Sequence, residues 1–191
     1  MSFPRVGVSL LNGASPPLVN YPKSARRAMP SLDQLQEFAK KISSEAFGLV
    51  EHQPEPWAEP MLCFRNLQRK VARDGGRAIN GWIFQAKAAE FGEYFIATHH
   101  AVWVAPNGVF LDVTPFHSNE NNRPLSEKGC PYYLIDSDAR PATVGAIPLA
   151  IASKFFPATN SPVLMAYVKT LTRKEHERCE NVYKRHTAGS R

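Results

Sequence analysis

The turn signal Ala105-Pro106-Asn107-Gly108, set between strand-like residues 93–105 and 109–114, constrains this chain more than any other feature. It makes two strands antiparallel and decides which side chains share a face. Proline favours the second position of a type I turn, and a following glycine takes the left-handed conformation of a three-residue hairpin loop. Ala105 then pairs with Val109, and Val102 with Asp112. His100 falls on the face of Asp112 and diagonal to it, about 7–8 Å away at the backbone, within reach of an imidazole and a carboxylate. A two-residue loop at Asn107-Gly108 would pair Trp103 with Asp112 and bring His99 to that face instead, but Pro106 disfavours it. His99 is expected on the opposite face, beside Ala97 and Ala101.

The rest of the chain supplies helices before these strands. Ser31 and Gln34 form a capping box, followed by Leu32, Leu35, Phe38, Ala39, Ile42 and Ala46 at helical spacing, with a stop near Gly48. The stretch EHQPEPWAEP reads as a proline-punctuated connection. Residues 61–73 read as a second helix with Cys63, Leu67 and Val71 along one face, ended by Asp74-Gly75-Gly76. A strand is expected over 78–86. A polar loop, HSNENNRPLSEKG, precedes a short strand at PYYLID, and a charged helix spans about 163–185. Helices followed by antiparallel strands indicate an α+β fold. Residues 1–30 read as an irregular arm, and 31–191 as a single domain, for which 191 residues provide enough core.

The net charge of +6 is spread along the chain rather than gathered in a dense run, so a nucleic-acid partner is not expected. Three cysteines, Cys63, Cys130 and Cys179, lie far apart, which fits a reducing compartment better than a disulfide framework. The N-terminus lacks a signal-peptide pattern, and the apolar stretch 142–156 is interrupted by Pro148 and Lys154, so no membrane span is expected. These features indicate a cytoplasmic protein, or a secreted effector without a classical signal. His176, Cys179 and His186 do not complete a four-ligand zinc site, and His99 with His100 point to opposite faces and cannot chelate together. His117 would add only one further ligand, and no metal or cofactor is expected.

Cys63 opens the second helix, where the helix terminus and a nearby imidazolium both favour thiolate. Alone it reads as a small buried apolar residue. With His100 as base and Asp112 as the acid that orients it, the chain order Cys, His, Asp meets the needs of a thiolate nucleophile. Asp136 and Asp138 are the rivals to Asp112. An oxyanion needs donors, for which the Cys63 N–H and the Trp57 indole are candidates. For Trp57 a hydrophobic plug for its irregular loop is the preferred reading over an oxyanion donor. Asn66, one turn after Cys63, either supports the site or caps local backbone.

The segments CFRNLQRKVARDGGRAINGW, HHAVW and PNGVFLDVTP together resemble the core of transglutaminase-like cysteine enzymes, within the papain-like group, over roughly residues 57–116. The pattern C…N…GG…GW…HAVW…D-T-P is also similar to that of uncharacterised bacterial proteins. His-Ala-Val-Trp stands where His-Ala-Trp is usual, shifting the tryptophan by one, and Asp-Val-Thr-Pro stands where Asp-Pro-Thr is usual. The resemblance implies a papain-like fold with a nucleophile helix packed on an antiparallel sheet. It implies Cys63 as nucleophile, His100 as base and Asp112 as orienting acid, acting on an amide through a thioester. The substrate would be a protein, a peptide or a small amide. Release to water makes a peptidase, amidase or deamidase, and release to an amine makes a transglutaminase. Hydrolysis is preferred because nothing marks an amine site. The alternative is a non-enzymatic α+β module that binds a protein or nucleic acid through its basic surface, with an inert Cys63.

Overall fold

The computed structural model describes residues 31–144, 147–149 and 151–188, and the expected arm at 1–30 lies outside them. Along the chain come α1 (Leu32–Lys40), β1 (Phe47–Leu49), β2 (Glu51–His52), α2 (Cys63–Asp74), β3 (Arg77–Ala89), β4 (Gly92–Val104) and β5 (Phe110–Asp112). A 3-10 turn at Glu120–Asn122 leads to β6 (Ser126–Glu127), β7 (Cys130–Ile135), β8 (Thr143–Val144), β9 (Ile147–Pro148), β10 (Lys154–Pro157) and α3 (Pro162–Ala188). The fold is mixed α+β around one mostly antiparallel sheet in the order β1-β7-β3-β4-β5-β2, with β10 beside β4 and β6 beside β7. Among the described residues no helix is long and apolar enough to cross a membrane.

The hairpin forms in the register that Pro106 dictates. Trp103 pairs with Leu111 and Val104 with Phe110. Ala105 N donates to Val109 O, Gly108 N donates to Ala105 O, and Gly108 has φ +87°. His100 and Asp112 therefore share a face, as the turn requires.

The segment 47–52 corrects the expected end of the first helix and the reading of Glu51 and His52 as part of the proline-punctuated connection. α1 keeps its capping box at Ser31 and Gln34, but it ends at Lys40 rather than near Gly48. Its last turn tightens through Lys41 N to Phe38 O and Ile42 N to Ala39 O, and the Ser43 side chain then accepts Glu45 N in place of further helix. Residues 47–52 instead become β1 and β2, split around Val50. β1 pairs with β7 at one edge of the sheet, and β2 runs parallel to β5 at the other. One short extended segment thus joins both edges and nearly closes the sheet.

Helices cover the outer face of the strands. Leu35, Phe38 and Ala39 of α1 pack on Trp82, Phe84, Phe95, Ala97 and Leu134. Leu67 of α2 packs on Ala101, Trp103 and Val113. The buried face of α2 is Cys63, Asn66, Leu67 and Lys70, rotated from the expected line, so that Val71 is only partly covered. Gly75 caps the helix, and its carbonyl accepts the Trp103 indole N–H at 2.9 Å. At Gly76, with φ +76°, a Cβ would stand 2.2 Å from Val104 O, so only glycine lets the chain turn into β3 there.

Candidate active site

The far edge of β4 has partners at its ends and none in its middle. β10 pairs with residues 94–97 and β5 with 103 and 104. Among the described residues, 98–102 have no strand partner on that edge. The start of α2 lies at this gap. The Phe64 ring sits 5.1 Å from that of His99, and the Cys63 side chain acts on the imidazole of His100. Cys63 is buried and walls two clefts, one of about 330 Å³ that includes His100, Asp112 and Thr114, and one of about 680 Å³ that includes Leu62, Phe64, Leu149 and Ile151; His99 lines both.

His100 and Asp112 lie side by side, His100 Nε2 3.1 Å from Asp112 Oδ1, with only 9% and 1% of their surfaces exposed. The approach is off the ring N–H axis, so it is a close electrostatic contact rather than an aligned hydrogen bond. Burial pushes the imidazole pKa down, but the Asp112 carboxylate and the Cys63 side chain push it up by more, leaving it well above the ordinary value. With Nε2 facing Asp112, Nδ1 is the ring nitrogen left for the thiol.

Asp112 is held from behind by Thr114. The Thr114 N–H donates to Asp112 Oδ1 at 3.0 Å, its hydroxyl accepts from Asn66 Nδ2 at 3.2 Å, and its carbonyl meets His52 Nε2 at 3.0 Å. Asn66 also clasps Glu59, donating to its carbonyl at 2.8 Å and accepting its N–H at 3.1 Å. Asn66 thus both supports the site and fastens the loop before Cys63. Sequence reasoning passed over Thr114, although an aspartate that accepts the N–H two residues on is a common turn device and Asp112-Val113-Thr114 has that form.

Tyr133 was also missed, and nothing local in the sequence marks it. Its ring stands edge-on to that of His100, with centroids 6.3 Å apart. Its hydroxyl donates to Ile79 O at 2.9 Å and lies 3.4 Å from His100 O. Burial holds its pKa well above the usual value, so it remains a neutral donor.

Other candidates lie elsewhere. Trp57 is not among the residues lining either cleft beside Cys63. Its ring is covered by Arg69 and Arg73 of α2, 4.3 and 5.3 Å from the ring centre. The residue is half-buried. Its indole N–H is buried without a protein partner. Asp136 accepts the Trp82 indole N–H at 2.7 Å, which commits it away from His100, and Asp138 is exposed. His99 does lie opposite His100, on the face of α2, with Nε2 2.7 Å from Ala139 O, and burial lowers its pKa. His117 lines the smaller cleft and accepts Asn119 N through Nδ1. Cys130 opens β7, and Cys179 lies on α3 with Glu175 and Arg178, where burial raises its pKa.

The start of α2 has no side-chain cap, and the first N–H groups of a helix lack partners within it. Met61, two residues before Cys63, has φ +65° and exposes 77% of its surface while lining both clefts. A non-glycine residue in that region is strained, and such strain clusters at functional sites. The arrangement brings a thiol, an imidazole with a raised pKa, a buried carboxylate and a helix start without a side-chain cap to one open point of the sheet. No family model, curated protein or solved structure matches the chain.

Proposed function

We propose that the protein is a cysteine-dependent acyl-transfer enzyme with a papain-like, transglutaminase-like core, acting on an amide bond through Cys63, His100 and Asp112. The observation that carries this reading is the 3.1 Å contact of the buried His100 and Asp112, which with Cys63 raises the imidazole pKa. A helix that opens on the cysteine and packs on the strand bearing the histidine supports the fold assignment.

In this mechanism the Cys63 thiolate attacks the amide carbonyl and forms a C–S bond. The Cys63 backbone N–H, at the uncapped helix start, faces the oxyanion. The His100 imidazolium gives its proton to the leaving nitrogen as the C–N bond breaks, and the amine departs. Water then gives a proton to His100 and attacks the thioester, the C–S bond breaks, and the carboxylic acid leaves with the Cys63 thiolate and His100 imidazolium regenerated. Asp112 holds the ring in place and stabilises its positive form. Hydrolysis is the preferred outcome because nothing in the sequence marks a site for an acceptor amine.

Acylation by para-nitrophenyl acetate tests the reading. Wild-type protein should release nitrophenolate in a burst and carry a hydroxylamine-labile acetyl group on Cys63. The H100A variant should acylate at least tenfold more slowly. Acetylation of Cys63 at equal rates in the two proteins, or none in either, would refute it.

A further inference from the structure

The two clefts that meet at Cys63 differ in one respect that assigns them roles. His100 and Asp112 line the smaller cleft and not the larger one. The leaving amine and the attacking water must both exchange a proton with His100, so they belong in the smaller cleft. The acyl portion exchanges no proton, and it is left with the larger cleft of about 680 Å³.

The walls of that cleft are mostly apolar, with Gln68, Thr98, His99 and Ser153 among them. Phe64 and Ile151 are half-buried and Leu149 is buried, while Leu62 and Met61 form an exposed lip next to the thiol. The cationic lining residues Arg65 and Arg178 are exposed at 74% and 54% of their side chains and engage Glu59 and Glu175. Their charge is therefore spent at the rim. Exposed apolar surface beside a nucleophile gains by being covered, and it gains most when covered by an apolar ligand. The strained backbone of Met61 adds to this, because it displays a large apolar side chain to solvent at the junction of the clefts.

We infer that the substrate carries a large apolar group on the acyl side of its scissile bond, held between Leu62, Phe64, Leu149 and Ile151, with a smaller leaving group on the His100 side. This rests on the proposed nucleophile role of Cys63. Either a hydrophobic amino-acid side chain or an aliphatic acyl chain has the required chemistry, and one experiment separates them.

The experiment uses activated esters, so that only the acyl group varies. Cys63 attacks the ester carbonyl, the C–O bond breaks, nitrophenolate leaves, and the thiol proton passes to His100 and solvent. One series is para-nitrophenyl acetate, butyrate and hexanoate. The other compares the para-nitrophenyl esters of N-acetylglycine and N-acetylphenylalanine. Rates of Cys63 acylation are divided by those of free N-acetylcysteine to remove intrinsic reactivity.

The expected result is a gain of at least about tenfold from the smallest to the largest acyl group in one series, since each buried methylene strengthens binding severalfold. The series showing the gain identifies the source of the apolar group. L62A and I151S should each reduce that gain, read as the ratio of the largest to the smallest acyl group within a series. Flat rates in both series, with acetate acylating Cys63 in a His100-dependent manner, would overturn the inference and leave the nucleophile intact. No acylation by any ester would remove the nucleophile and the inference with it.

Discussion

Asn66 Nδ2 donates to Thr114 Oγ1 across 3.2 Å, joining the helix that opens with Cys63 to the turn that holds Asp112. Asn66 stands one helical turn from Cys63, and Thr114 stands two residues from Asp112. The pair thereby sets the distance between the nucleophile and the residues that serve it. The Thr114 N–H and carbonyl are backbone groups that a substitution keeps, so the link to Asn66 depends on the hydroxyl alone.

Replacing Thr114 with valine keeps the shape and removes the acceptor. The T114V variant should lose about 1–3 kcal/mol of stability, the cost of leaving a buried amide N–H unpaired. Acylation of Cys63 should fall about tenfold, and T114S should restore both. Urea denaturation and ester acylation measure the two effects, and T114V protein as reactive as wild type would show that this link does not position the site.

Gly81 lies opposite His100 in the β3–β4 ladder. A Cβ there would stand 2.0 Å from Leu134 O and 2.7 Å from the Tyr133 hydroxyl. The G81A variant should be destabilised by about 1–3 kcal/mol or more, because the backbone of β7 must shift. The Tyr133 ring, displaced from beside His100, should also change its near-ultraviolet dichroism.

The adjacent histidines should titrate in opposite directions. His100 lies well above the ordinary imidazole value, held by Asp112 and Cys63 against its burial, whereas burial draws His99 below it. At pH 7 the first should be imidazolium and the second neutral in NMR titration, and D112N should lower the His100 value. A raised folded-state value stabilises the protein fully below the unfolded value of about 6.5. That contribution is lost as pH rises through the folded value.

Lys70 forms ion pairs with Glu55 and Asp74 and sits 4.4 Å from the centre of the Trp103 ring. Hydrogen bonds from Lys70 and Arg73 lower the Glu55 pKa, and those from Arg73 and Lys70 lower that of Asp74. Depressed carboxylate values contribute stability above the unfolded value of about 4, lost as pH falls through the folded ones. The stability difference between wild type and K70M should therefore be present at pH 7 and shrink below about pH 4. Thermal melts across that range give the comparison.

The hairpin was legible in the sequence because Pro106 and Gly108 favour one register, and that register puts His100 on the same face as Asp112. The start of α1 was legible for a similar reason, since Ser31 and Gln34 act on backbone next to them. The fate of residues 47–52 was not, because that segment becomes strand only by pairing with β7 and β5, far along the chain. Lys70 lies off the line of Cys63, Leu67 and Val71, and it is buried because Glu55, Asp74 and Trp103 converge on it. Trp57 lay near Cys63 in sequence, but its ring is drawn to Arg69 and Arg73 instead. The two clefts arise from strands that stop short along β4, and no local pattern records where strands stop.

The most direct test of the catalytic assignment is iodoacetamide labelling of Cys63, Cys130 and Cys179 as a function of pH, read by mass spectrometry in wild type and H100A. With a thiolate paired to the His100 imidazolium, Cys63 should label fastest near pH 6 despite its burial. It should slow at least about tenfold in H100A while the other two cysteines remain unchanged. Cys63 inert in both proteins, or labelling with the same pH dependence in both, would contradict the assignment.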